Sequence, residues 1–142
     1  MSAVAGFLQL DGAPANAIDG KRIINDWKEF YPTTWVADTK ATGPQWLEID
    51  FAGPKKLSTV TVYTVAFANW TPANSGIRDW EVQIWDGKDW HTVDSIKGNQ
   101  RVSQISRLKG ATTDRIRILV TGTNDPLGTI GIMEVQAYGT RD

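Results

Sequence analysis

The chain contains the stretch Arg78-Asp79-Trp80-Glu81-Val82-Gln83-Ile84-Trp85, followed by Asp86-Gly87-Lys88-Asp89 and then Trp90-His91-Thr92-Val93. Apolar and polar residues alternate on both sides of a connection rich in Asp and Gly, and this pattern predicts a β-hairpin. Side chains of a strand alternate between its two faces. The face that we predict to be core carries Trp80, Val82 and Ile84, and the opposite face carries Glu81, Gln83 and Trp85. Trp85 and Trp90 flank the connection, so we expect them to pack as a cross-strand pair.

Similar signals recur outward from this hairpin. Alternation and β-branched residues predict an edge strand within residues 2–20 and further strands at 46–51, 57–64, 102–108, 114–121 and 131–138. Turn signals separate them at Gly53-Pro54, Gly98-Asn99 and Lys109-Gly110. About eight short strands without a helix of ordinary length predict an all-β fold, an antiparallel β-sandwich of the jelly-roll type. Residues 21–45, 65–77 and 122–130 form longer loops, which are usually functional in a compact domain.

Composition excludes several classes of function. The 142 residues fit one domain, and the absence of cysteine excludes disulfides and thiolate metal sites. Fifteen Lys and Arg against sixteen Asp and Glu give a net charge of -1 without a basic block, which argues against nucleic-acid binding. Residues 1–5 lack the features of a signal peptide, so a secreted protein would carry this chain as an excised module. Seven Trp motivate a binding hypothesis, because Trp supplies rigid faces for interfaces and sugar rings.

Seven landmarks, taken in order, resemble a known family. They are Ala17-Ile18-Asp19-Gly20, Thr33-Thr34-Trp35, Pro44-Gln45-Trp46-Leu47-Glu48-Ile49-Asp50-Phe51, Ile77-Arg78-Asp79-Trp80-Glu81-Val82-Gln83, Asp86-Gly87-Lys88-Asp89-Trp90, Arg115-Ile116-Arg117-Ile118 and Met133-Glu134-Val135-Gln136-Ala137-Tyr138-Gly139. Together they look like the discoidin domain, also called the coagulation factor 5/8 type C domain, which includes the family 32 carbohydrate-binding modules. The likeness spans roughly residues 13–139. It implies a single discoidin-like domain over 1–142 that captures its ligand with loops at one end.

The chain departs from the family pattern in two places. An insertion between Gly20 and Thr33 contains Trp27 and Tyr31, and the loop 65–77 lacks the Arg that galactose-binding members often carry. A preference for galactose is therefore not carried over to this chain.

The resemblance also implies a structural calcium ion. Side-chain oxygens of Asp19, Thr33 and Glu134 would bind it, with backbone carbonyls such as that of Ala17, and oxygen donors are what this hard cation prefers. Without a metal, Asp19 would cap a turn and Glu134 would be a solvated strand residue.

Sugar recognition needs a flat apolar face and fixed polar groups. In the long loops and at their ends, such faces come from Trp70, Tyr31 and Trp27. Hydrogen bonds would come from Asn69, Asn74, Arg78 and Asn124. Two alternatives stay open, because Trp27 and Phe30 could plug the sandwich end and Trp70 could pack against its own loop. The resemblance assigns the remaining aromatic landmarks to the framework, namely Trp35, Trp46, Trp80 and Trp90.

The leading hypothesis is a non-catalytic carbohydrate-binding module, a monomer that targets a larger, extracellular, bacterial-type enzyme or surface protein to an oligo- or polysaccharide. The alternative is a discoidin domain that binds a protein or a membrane, although the near-neutral charge argues against anionic lipid. An enzyme is the weakest hypothesis. His91 has no sequence partner that suggests a triad. Glu48 and Asp50 are about 6.6–6.8 Å apart by the strand rise, a spacing found in any alternating strand.

Overall fold

The computed structural model describes residues 2–5, 35–36, 44–66 and 69–139. The described secondary structure is almost entirely β. In chain order the elements are β1 (Ser2–Ala5), β2 (Trp35–Val36), β3 (Gln45–Thr64), α1 (Pro72–Ser75), β4 (Ile77–Trp85), β5 (Trp90–Ile96), β6 (Ser103–Thr123) and β7 (Gly131–Gly139). Among the described residues, helix is limited to the four-residue α1, so no helix there could cross a membrane.

All strand pairs are antiparallel, in the order β2-β7-β3-β6-β4-β5, and β1 pairs with β3. The two long strands β3 and β6 each take part in both layers of the sandwich. Residues 45–50 of β3 pair with 115–120 of β6 beside β4, while residues 59–63 of β3 pair with 103–107 of β6 beside β7. Side chains from both layers form the larger of two apolar clusters among the described residues, and this core includes Ile49, Val60, Val82, Ile118 and Val135. The predicted antiparallel β-sandwich is confirmed.

The predicted turns at Gly53-Pro54 and Lys109-Gly110 do not separate short strands. The ladder between β3 and β6 instead continues past both sites, with register shifts between Asp50 and Lys55 and between Leu57 and Thr59. Gly53, Lys109 and Gly110 have positive φ angles of 107°, 54° and 78°. Bulged residues of this kind let a strand turn the corner from one sheet to the other without leaving the hydrogen-bond ladder. The prediction of separate strands at these positions was wrong.

The hairpin of β4 and β5 has the predicted register. Trp85 lies opposite Trp90, and their ring centroids are 5.3 Å apart at an interplanar angle of 56°. Trp80 and Val82 are fully buried, and Ile84 packs partly buried against the core. Gln83, predicted for the outer face, is only 8% exposed, because its side chain bonds to those of Thr92 and Arg117. Hydrogen bonds to the two neighbouring strands therefore accompany the burial of Gln83 on the outer face.

The described loops cluster at two opposite ends of the sandwich. The loop end is formed by residues 69–76, 97–102 and 123–130, which the start of β3 and the end of β6 approach. The turn end is formed by residues 52–56, 86–89 and 109–110. A hydrogen bond of 2.7 Å from Thr113 Oγ1 to the carbonyl of Trp85 fixes the hairpin at the turn end.

Candidate functional site

The segment that carries Trp70 is closed by a helical turn. The side chains of Thr71 and Asn74 form a reciprocal capping box, with Asn74 Oδ1 accepting from the N–H of Thr71 at 2.9 Å. Asn74 Nδ2 also donates to the carbonyl of Asn69 at 3.0 Å, and Pro72 occupies the first turn. Such caps satisfy backbone groups that a short helix leaves open. Asn74 therefore braces the loop in which Trp70 lies.

Asn124 joins this loop to two others. Its side-chain Nδ2 donates to the carbonyls of Pro72 and Asn99, each at 2.9 Å, and its backbone N–H donates to Gly76 at 2.8 Å. The hydroxyl of Thr123 adds a hydrogen bond of 2.8 Å to the carbonyl of Thr129. Side-chain to backbone hydrogen bonds therefore hold the described loops of this end together.

Asn99 is the residue at this end that the sequence analysis missed. It is 2% exposed, and its amide donates to the carbonyls of Ile77 and Arg101 and accepts from Arg101 N–H and Gln104 Nε2. Its backbone N–H donates to Arg78. The sequence signal was a Gly-Asn pair, which indicates only a turn. In the structure this residue is a buried connection between the hairpin and the loops.

Arg78 and Asp79 form an ion pair at the loop end, with Arg78 Nε 2.8 Å from Asp79 Oδ2. The Arg78 side chain is 46% exposed, whereas that of Asp79 is 18% exposed. Partial burial opposes ionisation of Asp79, but the Gly98 N–H and the Arg78 guanidinium outweigh it and hold the pKa of this carboxyl below its usual range. The result is a fixed cation with open donors at the surface.

Gly122 lies directly beneath this ion pair. A Cβ atom added at Gly122 would collide with the Asp79 carboxylate and the Arg78 guanidinium. Its backbone does not have a positive φ angle, so close approach is the reason that glycine suits this position. The end of β6 thus supports Arg78 from below.

Among the described residues of the loop end, three large apolar side chains are exposed, and one of them is Val102 at 41%. Trp70 is 37% exposed and Leu127 is 91% exposed. Leu127 follows a turn in which Asp125 Oδ1 accepts from its N–H at 3.0 Å. An exposed indole on a braced loop is suited to stacking against a flat apolar ligand.

The structure thus brings five predicted ligand residues to one end of the sandwich: Asn69, Trp70, Asn74, Arg78 and Asn124. Trp27 and Tyr31 lie outside the described residues. The same holds for three of the four predicted calcium ligands, Ala17, Asp19 and Thr33. The fourth, Glu134, belongs to β7 and is 3% exposed, so it is not the solvated strand residue of the alternative reading.

Glu48 and Asp50 form part of an ion network on the outer face. Arg115 Nε lies 3.4 Å from Asp50 Oδ1, and Arg115 Nη1 lies 3.9 Å from Glu48 Oε1. Burial, followed by the charge of Asp50, raises the pKa of Glu48, while Arg115 and Arg117 oppose this rise. The guanidinium groups also lie over the hairpin tryptophans, Arg117 at 4.5 Å from the Trp90 ring and Arg115 at 5.9 Å from the Trp85 ring.

Comparison with known proteins agrees with this architecture. The model of the F5/8 type C domain matches residues 5–135. The chain belongs to the F5/8 type C domain family. The predicted discoidin resemblance is therefore confirmed. No match was found among curated proteins.

Solved structures similar to this F5/8 type C domain include carbohydrate-binding modules. A GH31 CBM32-2 module bound to GalNAc is 16% identical, with a TM-score of 0.77 and 99% of both chains covered. The family 32 module of C. perfringens NanJ, in complex with galactose, is 15% identical, with a TM-score of 0.75 over 96% of this chain and 91% of that one. The Streptococcus pneumoniae fucose binding module SpX-3 is 19% identical, with a TM-score of 0.75 over 99% and 94%. At these identities the likeness shows the fold, and the ligands belong to the neighbours.

Proposed function

We propose that this F5/8 type C domain is a non-catalytic carbohydrate-binding module that binds an oligo- or polysaccharide through its loop end. The exposed indole of Trp70 on a hydrogen-bonded loop carries the proposal, because a pyranose ring presents an apolar C–H face to such a surface. Arg78 supplies donors for sugar hydroxyls in the same loop end. Neighbours of the same fold that bind GalNAc, galactose and fucose support the substrate class.

The module would target a larger extracellular enzyme or surface protein to its glycan and would itself be a monomer without catalytic activity. Single modules of this kind bind weakly, and several modules in one protein compensate through a high effective concentration. Trp27 and Tyr31 are proposed to extend the aromatic surface, and Asn69 and Asn124 to add hydrogen bonds. Asn74 is proposed as a ligand contact only through its remaining hydrogen-bonding capacity, since its amide already braces the loop.

The test is a glycan screen followed by titration of Trp70→Ala and Trp70→Phe. We expect the Ala variant to lose at least tenfold in affinity and the Phe variant to retain most of it, because a phenyl ring still stacks. Ile105→Ala removes a side chain that is 60% exposed outside the loop end, and it serves as the control. Unchanged affinity in Trp70→Ala would remove this residue from the site.

We further propose that Glu134 binds the structural calcium ion together with Asp19, Thr33 and the carbonyl of Ala17. A buried carboxylate fits this role, since burying an anion is costly unless a cation or hydrogen bonds compensate it. Calcium at a hundredfold excess over its Kd would raise the free energy of unfolding by about 2.7 kcal/mol. Glu134→Gln should abolish the response of Tm to calcium and chelator, whereas Glu81→Gln should keep it. No response in the unmodified protein would exclude the ion.

A protein- or membrane-binding role is the second candidate. It is favoured by the side chain of Leu127, which is 91% exposed in the same end as Trp70. Apolar side chains at a loop tip can enter a membrane surface. Co-sedimentation with neutral and anionic vesicles separates the two functions. Binding that Leu127→Ser abolishes, in the absence of any glycan binding, would replace the carbohydrate proposal.

A further inference from the structure

A shallow basic groove of about 470 Å³ lies at the turn end, away from the candidate sugar loops. Its wall consists of Lys56, Ser58, Thr59, Arg107, Lys109 and Gly110. Three of these six residues are cations, and none is a carboxylate. In a chain whose net charge is -1, this concentration of positive charge is local rather than general. Such a groove attracts anions.

A bulge between β3 and β6 builds the groove. Leu57 pairs with Ala111 and Thr59 pairs with Arg107, so three residues of β6 lie opposite the single residue Ser58. Bulges redirect side chains and often occur beside binding sites. Here the extra residues place Lys109 and Gly110 at the surface.

Lys109 has a φ angle of 54°, and among the described residues it alone combines a side chain with a positive φ. Gly or Asn would adopt this conformation at lower cost than Lys. A lysine at this position is therefore poorly explained by the turn itself. Its charge gives a reason for its presence.

Lys56 and Gly110 fit closely together. A Cβ atom added at Gly110 would lie 3.2 Å from Cε of Lys56, and one added at Gly139 would lie 3.1 Å from the Lys56 carbonyl. The aliphatic part of Lys56 thus lies across Gly110. This packing holds the lysine along the groove instead of leaving its whole side chain free in solvent.

Arg107 and Lys109 make no ion pair or side-chain hydrogen bond within 44–66 and 69–139, the two long described segments. Thr59 of β3 pairs with Arg107 of β6 on one side and with Tyr138 of β7 on the other. Tyr138 therefore lies one strand away from Thr59 and two strands away from Arg107. Tyr138 is 52% exposed, and Ser58 Oγ donates to its carbonyl at 3.0 Å. Two available cations and an exposed aromatic ring thus share one face.

We propose that this groove is a second glycan subsite, which binds the carboxylate or sulfate groups of an acidic polysaccharide. A guanidinium and an ammonium group match these anions through charge-assisted hydrogen bonds, and Tyr138 offers a face for a sugar ring. The choice of a polysaccharide rests on the proposed function. The anion chemistry rests on the groove alone. Uronates and sulfate esters share this chemistry, and the experiment distinguishes them.

The test measures binding of the full chain to polygalacturonate, to a highly sulfated glycosaminoglycan and to a neutral polysaccharide. The variant Arg107→Gln/Lys109→Gln is compared with Lys88→Gln/Arg115→Gln, which removes two positive charges that belong neither to the groove wall nor to the loop end. We expect at least a tenfold loss for the acidic polymers in the first variant and less than a twofold change in the second. Loss with one polymer only identifies its acid group as the ligand. Equal losses in both variants would overturn the proposal, as would binding confined to anionic vesicles or duplex DNA.

Two further variants make the result independent of folding and of the loop end. Lys109→Gly removes the conformational cost of a positive φ angle at a residue with a side chain, so Tm should rise by about 2–6 °C. The affinity for acidic polymers should fall severalfold, because the ammonium group is lost. A rise in Tm with unchanged affinity would assign Lys109 to the turn only and overturn its role. Trp70→Ala should retain acidic-polymer binding. Binding of neutral glycans without any binding of polyanions would refute the anion subsite in the groove and leave the proposed function intact. Binding of polyanions without any binding of neutral glycans would refute only sugar binding at the loop end.

Discussion

The side chain of Asn124 donates a hydrogen bond to the backbone carbonyl of Asn99 at 2.9 Å, although the two residues are 25 positions apart. Asn99 in turn is 2% exposed and uses both its amide nitrogen and its amide oxygen in hydrogen bonds. The two amides together connect the loops that present Trp70 and Arg78. Geometry at the loop end therefore depends on a residue that does not contact solvent.

Asn99→Ala should destabilise the protein by about 2–3 kcal/mol, because it removes the amide donor from the buried carbonyl of Ile77 and from the partly buried carbonyl of Arg101. Urea unfolding gives this value. Asn74→Ala is the matched control, since the side-chain amide of Asn74 is exposed and loss of its hydrogen bonds to Thr71 and Asn69 should cost about 1 kcal/mol. Equal costs for the two variants would contradict the central role of Asn99.

Gly122→Ala should weaken glycan binding and stability together. A methyl group at Gly122 would collide with the ion pair of Arg78 and Asp79, so the guanidinium must move. Overpacking of this kind costs about 1–3 kcal/mol. Titration with the best glycan from the screen, alongside thermal unfolding, measures both effects.

Gly87→Ala is the control for this substitution. No atom lies within 4 Å of a Cβ at Gly87, but its φ is +96°, so the variant is strained without touching Arg78. It should lower Tm and leave glycan affinity unchanged. If Gly122→Ala behaves in the same way, the ion pair does not contribute to ligand binding.

The hairpin was predictable because its information is local. Alternation of side chains and the Asp-Gly connection lie within sixteen consecutive residues, and they sufficed to predict the pairing of Trp85 with Trp90. The corners at Gly53 and Lys109 were not predictable in the same way. A glycine-containing signal is the same for a tight turn and for a bulge, and only pairing with distant residues of the other strand decides between them.

The candidate site was predictable in its residue types but not in its supports. Trp70 and Arg78 follow from an exposed-loop composition, whereas Asn99 bonds to Ile77 and Asn124, which are 22 and 25 positions away. The ion pair of Asp79 with Arg78 was not predicted, for a different reason. Adjacent strand residues normally face opposite ways, but register shifts on both sides of Asp79 let it pair with its neighbour Arg78.

The ring contact between Trp85 and Trp90 should contribute about 0.5–1.5 kcal/mol beyond burial. A double-mutant cycle with Trp85→Ala and Trp90→Ala measures this coupling through urea unfolding. Arg117 lies 4.5 Å from the Trp90 ring, so Arg117→Gln in the cycle separates the cation–π contribution. Additive effects of the two tryptophan substitutions would show that each contributes only through its own contacts.

The connection between β4 and β5, residues 86–89, should make the free energy of unfolding depend on pH in the acidic range. The N–H groups of Asp89 and Lys88 and the side chain of His91 bond to the Asp86 carboxylate, and they lower its pKa from the ordinary 3.8 to about 2. A carboxyl with a lowered folded pKa binds protons more readily when unfolded. Its contribution is therefore complete above about pH 4 and is lost as the pH falls to about 2.

Asp86→Asn should flatten this acid-dependent part of the stability curve, because an amide has no proton to gain in this range. Urea midpoints measured between pH 2 and pH 7 provide the test, and Asp94→Asn, which removes one negative charge from strand β5 of the same hairpin, controls for net charge. The expected difference between the unmodified protein and Asp86→Asn shrinks steadily below pH 4. A difference that stays constant down to pH 2 would mean that the hydrogen bonds to Asp86 do not depend on its charge.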